Sequence, residues 1–189
     1  MGRIATPTQA ALASIVVAAL VMALKFLAWW LTDSVAFYAD AIESIINILA
    51  ALMAFGAVRL SHKPADANHP FGHQKAEFLS AIVEGGLILV AAWMILAESI
   101  GALLEPAPIR QAGIGMAIIA LATGINAFWA LTLMRWALRW RSPALRADSR
   151  HLWADVVTSA AVLAGVGLIP LTGWVWLDPA LGLAVTGNV

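Results

Sequence analysis

VAFYADAIESIINILAALMAFGAVR, residues 35–59, decides the fold. A bilayer core about 30 Å thick needs about 20 apolar residues of helix, and this stretch is long enough. It nevertheless carries Asp40, Glu43 and Asn47, spaced three and four apart and therefore on one helical face. An ionisable Asp at the bilayer centre costs at least about 2.5–3.5 kcal/mol on insertion scales. A helix of this kind belongs inside a bundle, with its polar stripe turned away from lipid.

Working outward, five further apolar segments are expected to cross the membrane, at about 10–31, 77–103, 111–138, 144–168 and 174–189. The chain of 189 residues is 62% hydrophobic and 12% charged, against about 25% charged in a soluble domain. The expected fold is thus an all-α membrane protein, a six-transmembrane-helix bundle over residues 1–189. The first span is too long for a signal peptide and contains Lys25, so it reads as a retained helix. Thr32-Asp33-Ser34 forms a tight turn, Pro64, Pro70 and Gly72 interrupt the longest polar loop, and Pro106 and Pro108 break the chain before the fourth span. The last turn is expected at Pro170–Gly173. The sixth span stops at Val189 without a polar flank, which predicts a longer natural chain.

Basic residues are asymmetric. Arg3, the group Arg59, Lys63 and Lys75, and the group Arg135, Arg139, Arg141, Arg146 and Arg150 fall on one side, and only Arg110 on the other. The positive-inside rule places both termini and the two large loops in the cytoplasm. The net charge is zero and no basic or acidic run suggests nucleic acid. Cysteine is absent, which excludes disulfides and thiolate metal sites.

A second polar string lies on the fifth span. Ala39 to Asn47 reads ADAIESIIN, and Ala147 to Asp155 reads ADSRHLWAD, so both follow Ala-Asp-x-x-ligand-x-x-x-ligand. Spans two and five run in opposite directions, as an inverted repeat of two three-helix halves would give. At 1.5 Å per residue, Glu43 and His151 lie roughly 11–12 Å deep and Asn47 and Asp155 roughly 17–18 Å deep, all near the midplane. Glu43, Asn47, His151 and Asp155 form a possible four-ligand nitrogen and oxygen site for a divalent transition cation. The other reading is a hydrogen-bonded seam joining helices. Glu84 and Glu98 fit interfacial or locally paired positions. In the loop, Asp66, His69 and His73 make a common zinc ligand set or, equally, a solvated interfacial segment.

The loop PADANHPFGHQKAE at 64–77, the string DAIES at 40–44 and the string DSRHLWAD at 148–155 together resemble the cation diffusion facilitator family, and the resemblance covers essentially the whole chain. It implies a dimeric secondary transporter that exports zinc, iron, cobalt, cadmium or manganese against a proton gradient. The family's intramembrane site falls on Glu43, Asn47, His151 and Asp155, and its loop site on Asp66, His69 and His73. Lys75 resembles a family position that makes a charge contact near the dimer interface. Zinc-transporting members often carry Asp-x-x-x-Asp or His-x-x-x-Asp on the second helix. Glu43 and Asn47 depart from that pattern and leave iron, cobalt, nickel or manganese open beside zinc. The family usually adds a ferredoxin-like cytoplasmic domain after the sixth helix; these 189 residues end before it could begin, so either a truncated chain or a short form is expected. The implied partners are the metal ion, protons, the lipid bilayer and a second copy, with localisation in a bacterial inner membrane. Two rival functions stay open at this point, a membrane-embedded metallohydrolase and a nontransporting metal-sensing or scaffold subunit.

Overall fold

The computed structural model describes residues 7–61, 63–64, 70, 72–73 and 75–187. Six helices follow one another: α1 (Pro7–Thr32), α2 (Val35–Ser61), α3 (Lys75–Leu104), α4 (Ala112–Trp140), α5 (Pro143–Thr172) and α6 (Leu177–Thr186). Four helical segments among the described residues are long and apolar enough to cross a membrane: Ala13–Thr32, Phe78–Leu104, Ala112–Trp140 and Leu145–Thr172. The six-helix expectation holds, and α1 to α4 begin and end within a few residues of the spans read from hydropathy.

Two expectations at the end of the chain are corrected. Pro170 does not open the last turn: α5 runs through it to Thr172, and Gly173 stops the helix at φ 72°, donating its N–H to Ile169 O at 2.8 Å. Proline removes one intrahelical donor, but only two residues of helix remain beyond it. Thr172 Oγ1 donates to Leu168 O, 2.8 Å, and helps close that last turn. The sixth helix is also shorter than expected, 10 residues, and Trp174 and Trp176 stack on each other in the turn before it, centroids 5.7 Å apart.

The helices close into a ring in the order α1, α2, α3, α6, α5, α4, and α2 also reaches across to α5 and α6. Each helix of the first half therefore packs against its counterpart in the second: α1 on α4, α2 on α5 and α3 on α6. The bundle has two ends. The basic end holds the α2–α3 and α4–α5 connections; the turn end holds the α1–α2, α3–α4 and α5–α6 connections. Toward the turn end, Phe37, Ile42, Ile95, Ile119, Val162 and Val166 form one apolar core. Toward the basic end, Ala130, Leu133, Ala137, Leu145 and Leu152 form a second, flanked by Trp129, Trp136 and Trp140. Large apolar side chains such as Trp30, Trp93, Phe128 and Leu171 face outward, as lipid as solvent permits.

The turn end is fastened tightly. Asp178, in the first turn of α6, accepts from Ser34 Oγ at 2.6 Å, Val35 N at 2.8 Å and Ala36 N at 3.2 Å. It caps the start of α2 from another helix and satisfies donors that no water reaches. Gly182 lets α6 approach closely, since a Cβ there would meet Ser99 Oγ of α3 and Val35 of α2. The α3–α4 connection docks by Arg110 N to Thr32 O, 3.0 Å, and by the exposed pair Arg110–Asp33, also 3.0 Å.

Candidate functional site

Between the two apolar cores lies a polar layer drawn from four helices. On α1 the buried stripe Val21, Lys25, Ala28, Thr32 follows helical spacing and carries a lysine inward instead of out to the interface. The Lys25 Nζ donates to Asp40 Oδ1 at 2.9 Å and to Asp155 Oδ1 at 2.7 Å, and the lysine is wholly buried. Ser159, one turn beyond Asp155 on α5, donates its hydroxyl to the Asp40 carboxylate, with its Oγ 2.9 and 3.0 Å from the two oxygens. Asn126 of α4 donates its amide to Asp155 Oδ2. One ammonium thus joins α1, α2 and α5, and Asn126 adds α4. Charges taken out of water cost several kcal/mol each unless paired, and removing one partner of such a pair costs about 3–5 kcal/mol. The layer is therefore strongly coupled across the bundle.

Glu43 lies one turn along α2 from Asp40. It is buried, and its Oε2 has no hydrogen-bond partner. It sits close enough to Asp40, Asp155 and Lys25 to feel their charges. Asn126 Oδ1 is likewise buried without a partner. Two oxygen acceptors are thus left free beside a carboxylate, although buried polar atoms are normally satisfied. The donor set is made of hard and borderline ligands, which fits a divalent cation.

The predicted ligands are only partly gathered. Glu43 and Asp155 share one charged neighbourhood. Asn47 is half-buried one turn further along α2, and His151 is exposed one turn before Asp155. Among the described residues, no three His, Asp or Glu side chains converge on a point where a metal could sit. His151 and Asn47 stand outside the buried pair, and both oxygens of Asp155 are engaged, by Lys25 and by Asn126. Asp66 and His69 lie outside the described residues, as does His62; His73 is half-buried near the start of α3, and Lys75 is exposed. Asp148 accepts from Ser14 Oγ at 2.8 Å, and that oxygen accepts from Trp129 Nε1 at 2.9 Å, so this acid ties α5 to α1 and α4. Glu84 is half-buried and Glu98 exposed.

Lys25, Asn126 and Ser159 escaped sequence reasoning. Lys25 carried the one available signal, a basic residue in the middle of an apolar span. A single Asn or Ser in such a span is most often a helix–helix hydrogen bond, so neither pointed to a site.

Comparison with known proteins agrees with the architecture. The family described as cation efflux transmembrane domain matches residues 11–188. An uncharacterized transporter of Synechocystis sp. is 46% identical over 179 residues, which is 95% of this chain and 58% of that protein. Proteins named cation-efflux pump FieF, from Citrobacter koseri and Klebsiella pneumoniae, are 35% and 34% identical over 179 residues, 94% of this chain and 59% of each relative. The chain therefore spans less than two thirds of the length of these relatives. The similarity points to a transporter and not to an enzyme, which sets the metallohydrolase reading aside. With the match running from the first helix through the sixth, this integral membrane protein belongs to the cation efflux family.

Proposed function

We propose that this chain forms the membrane part of a secondary transporter that exports a divalent transition-metal cation from the cytoplasm in exchange for protons. The observation that carries the reading is the buried layer in which Asp155 meets Lys25 and Asn126 beside the unpartnered carboxyl oxygen of Glu43. Intramembrane ionisable groups of this kind mark ion pathways. Charge supports the valence. Asp40, Glu43 and Asp155, all ionised, against one Lys25 ammonium leave a formal charge of −2 inside the bundle, which one divalent cation neutralises.

In this reading Glu43, Asn47, His151 and Asp155 are the ligands, and Asp66, His69 and His73 form a separate shallow site in the loop. The basic end is cytoplasmic, by the positive-inside asymmetry. Burial falls along that direction: Asp40 is sealed, Glu43 and Asp155 are nearly so, Asn47 is half-buried and His151 is exposed. His151 would receive the ion first, and the ion would then pass inward to Asp155 and Glu43. In this reading the turn end, where Asp178 joins α6 to the start of α2, is the side that must open to release the ion. Because ligands must be deprotonated, loading of the ion displaces protons, and protons return when the ion leaves. The working unit is a homodimer in a bacterial inner membrane. The relatives' printed name of cation-efflux pump supports the direction of transport. Zinc, iron, cobalt and manganese all suit the ligand set.

The test is uptake of each metal into proteoliposomes under an imposed proton gradient. Asp155→Ala and His151→Ala are expected to abolish transport while the protein still elutes as a folded species. Retained transport in both variants would sink the assignment.

A further inference from the structure

We propose that the Lys25 ammonium is a tethered counter-cation of this site: it holds Asp155 while no divalent cation is bound, and must give up Asp155 for one to be coordinated there. The inference rests on the reading of Glu43 and Asp155 as ligands.

Four observations lead to it. Lys25 lies inside the polar layer, whereas lysines in membrane helices ordinarily extend to the interface. Its Nζ is 2.7 Å from Asp155 Oδ1, and Asn126 takes Oδ2, so Asp155 has no oxygen unengaged. A carboxylate has further lone pairs, but an ammonium and a divalent cation on the same group repel strongly in a medium of low dielectric. Occupancy of Asp155 by the two is therefore mutually exclusive. Lys25 also has somewhere to retreat: Asp40, 2.9 Å away, stands outside the proposed ligand set and is oriented by Ser159. A flexible four-carbon stem allows the head group to shift wholly onto Asp40 without a helix moving. Finally, Glu43 Oε2 is left without a partner, as expected of a ligand whose ion is replaced on Asp155 by a cation that does not reach it.

Lys25 is thus a positioning residue with a competitive role, and the competition predicts effects of opposite sign. Equilibrium zinc binding would be measured on the purified full chain in detergent. Lys25→Met removes the competitor and is expected to bind zinc at least tenfold more tightly. Asp40→Asn removes the refuge, leaves Lys25 on Asp155 alone, and is expected to bind zinc at least fivefold more weakly. Lys25→Arg keeps a cation on Asp155 and should not tighten binding. A merely structural ion pair would weaken binding in both Lys25→Met and Asp40→Asn.

Zinc affinity in Lys25→Met equal to or below that of the unaltered chain would overturn the proposal, as would unchanged or tighter binding in Asp40→Asn. If Lys25→Met aggregates when purified without metal, purification with zinc decides the matter: recovery of monodisperse protein supports displacement, and continued aggregation overturns it. Asp155→Ala separates the two layers of inference. If it binds zinc as the unaltered chain does, the ligand reading itself fails; if it loses zinc while Lys25→Met is unchanged, only the competition fails.

Discussion

Asp155 and Asp178 are both buried aspartates whose two oxygens are fully used, yet they are held by opposite kinds of donor. Asp178 takes the N–H groups of Val35 and Ala36 and the hydroxyl of Ser34, all at the start of α2. Backbone donors of that sort cannot leave unless α2 unwinds. Asp155 takes the Lys25 ammonium and the Asn126 amide, both on side chains that can turn aside. The same residue type therefore fastens one end of the bundle and stays exchangeable at its middle. Satisfaction of an acid does not by itself distinguish structure from function; the mobility of its partners does.

The largest expected effect on stability tests the fastening half of this contrast. Asp178→Ala leaves three donors without their acceptor, each worth about 1–3 kcal/mol when buried, so a loss of about 3–5 kcal/mol is expected after partial repair. Thermal unfolding in micelles reads it, and zinc should not restore the lost stability. An Asp178→Ala protein that melts normally but no longer binds zinc would erase the contrast, since Asp178 would then belong to the ion path. Asp155→Asn tests the other half. The shape is kept and Lys25 still has Asp40, so the stability loss should be only about 1–2 kcal/mol, while zinc binding in the same preparation disappears.

These two acids also show what the sequence makes legible. The bundle was readable because apolar runs of membrane-spanning length need no tertiary information, and DAIES at 40–44 with DSRHLWAD at 148–155 marks two polar faces by spacing alone. Spacing says which residues share a helix face, but not which helix that face meets. Asp155 therefore reads as a ligand beside His151, while the structure engages it with Lys25 and Asn126 from two other helices, more than a hundred and about thirty residues away in sequence. Asp178 was invisible for the same reason. It stands in the first turn of its own short helix, where an acid is ordinary, and its actual role is to cap a helix that begins 143 positions earlier. Pro170 misled in the opposite direction, because a proline near a helix end signals a boundary whether or not the last turn still forms.

An effect below that of Asp178→Ala probes how rigid the fastened end must be. A side chain on Gly182 would drive into Ser99 of α3 and Val35 of α2, next to the Asp178 cap. Gly182→Leu is expected to cost about 1–3 kcal/mol, the usual range for overpacking. If the contrast between the fastened end and the exchangeable middle is sound, this variant melts earlier but binds zinc with unchanged affinity, because α6 contributes no side chain to the polar layer. A drop in zinc affinity as large as that of Asp40→Asn would instead show that the seating of α6 is felt at the site, and the end and the middle would have to be treated as one coupled element.

The smallest effect belongs to the Arg110–Asp33 pair, at the same end as Asp178. Its N–O distance of 3.0 Å is only slightly longer than the 2.7 and 2.9 Å of the buried Lys25 pairs, but the side chains are 72% and 62% exposed. Exposed pairs contribute about 0.2–1 kcal/mol, and salt screens them. The Arg110 backbone N–H, which holds Thr32 O at 3.0 Å, survives any change of side chain, so the α3–α4 connection keeps its anchor. Arg110→Gln is therefore expected to shift stability by less than about 1 kcal/mol, with the difference vanishing in high salt. A larger, salt-independent loss would mean that lipid headgroups or a second copy bury this pair in the membrane. The turn end would then be fastened at its rim as well as at its buried centre, and the Arg110 side chain would share a task now assigned to Asp178, the seating of α6 and the Arg110 backbone.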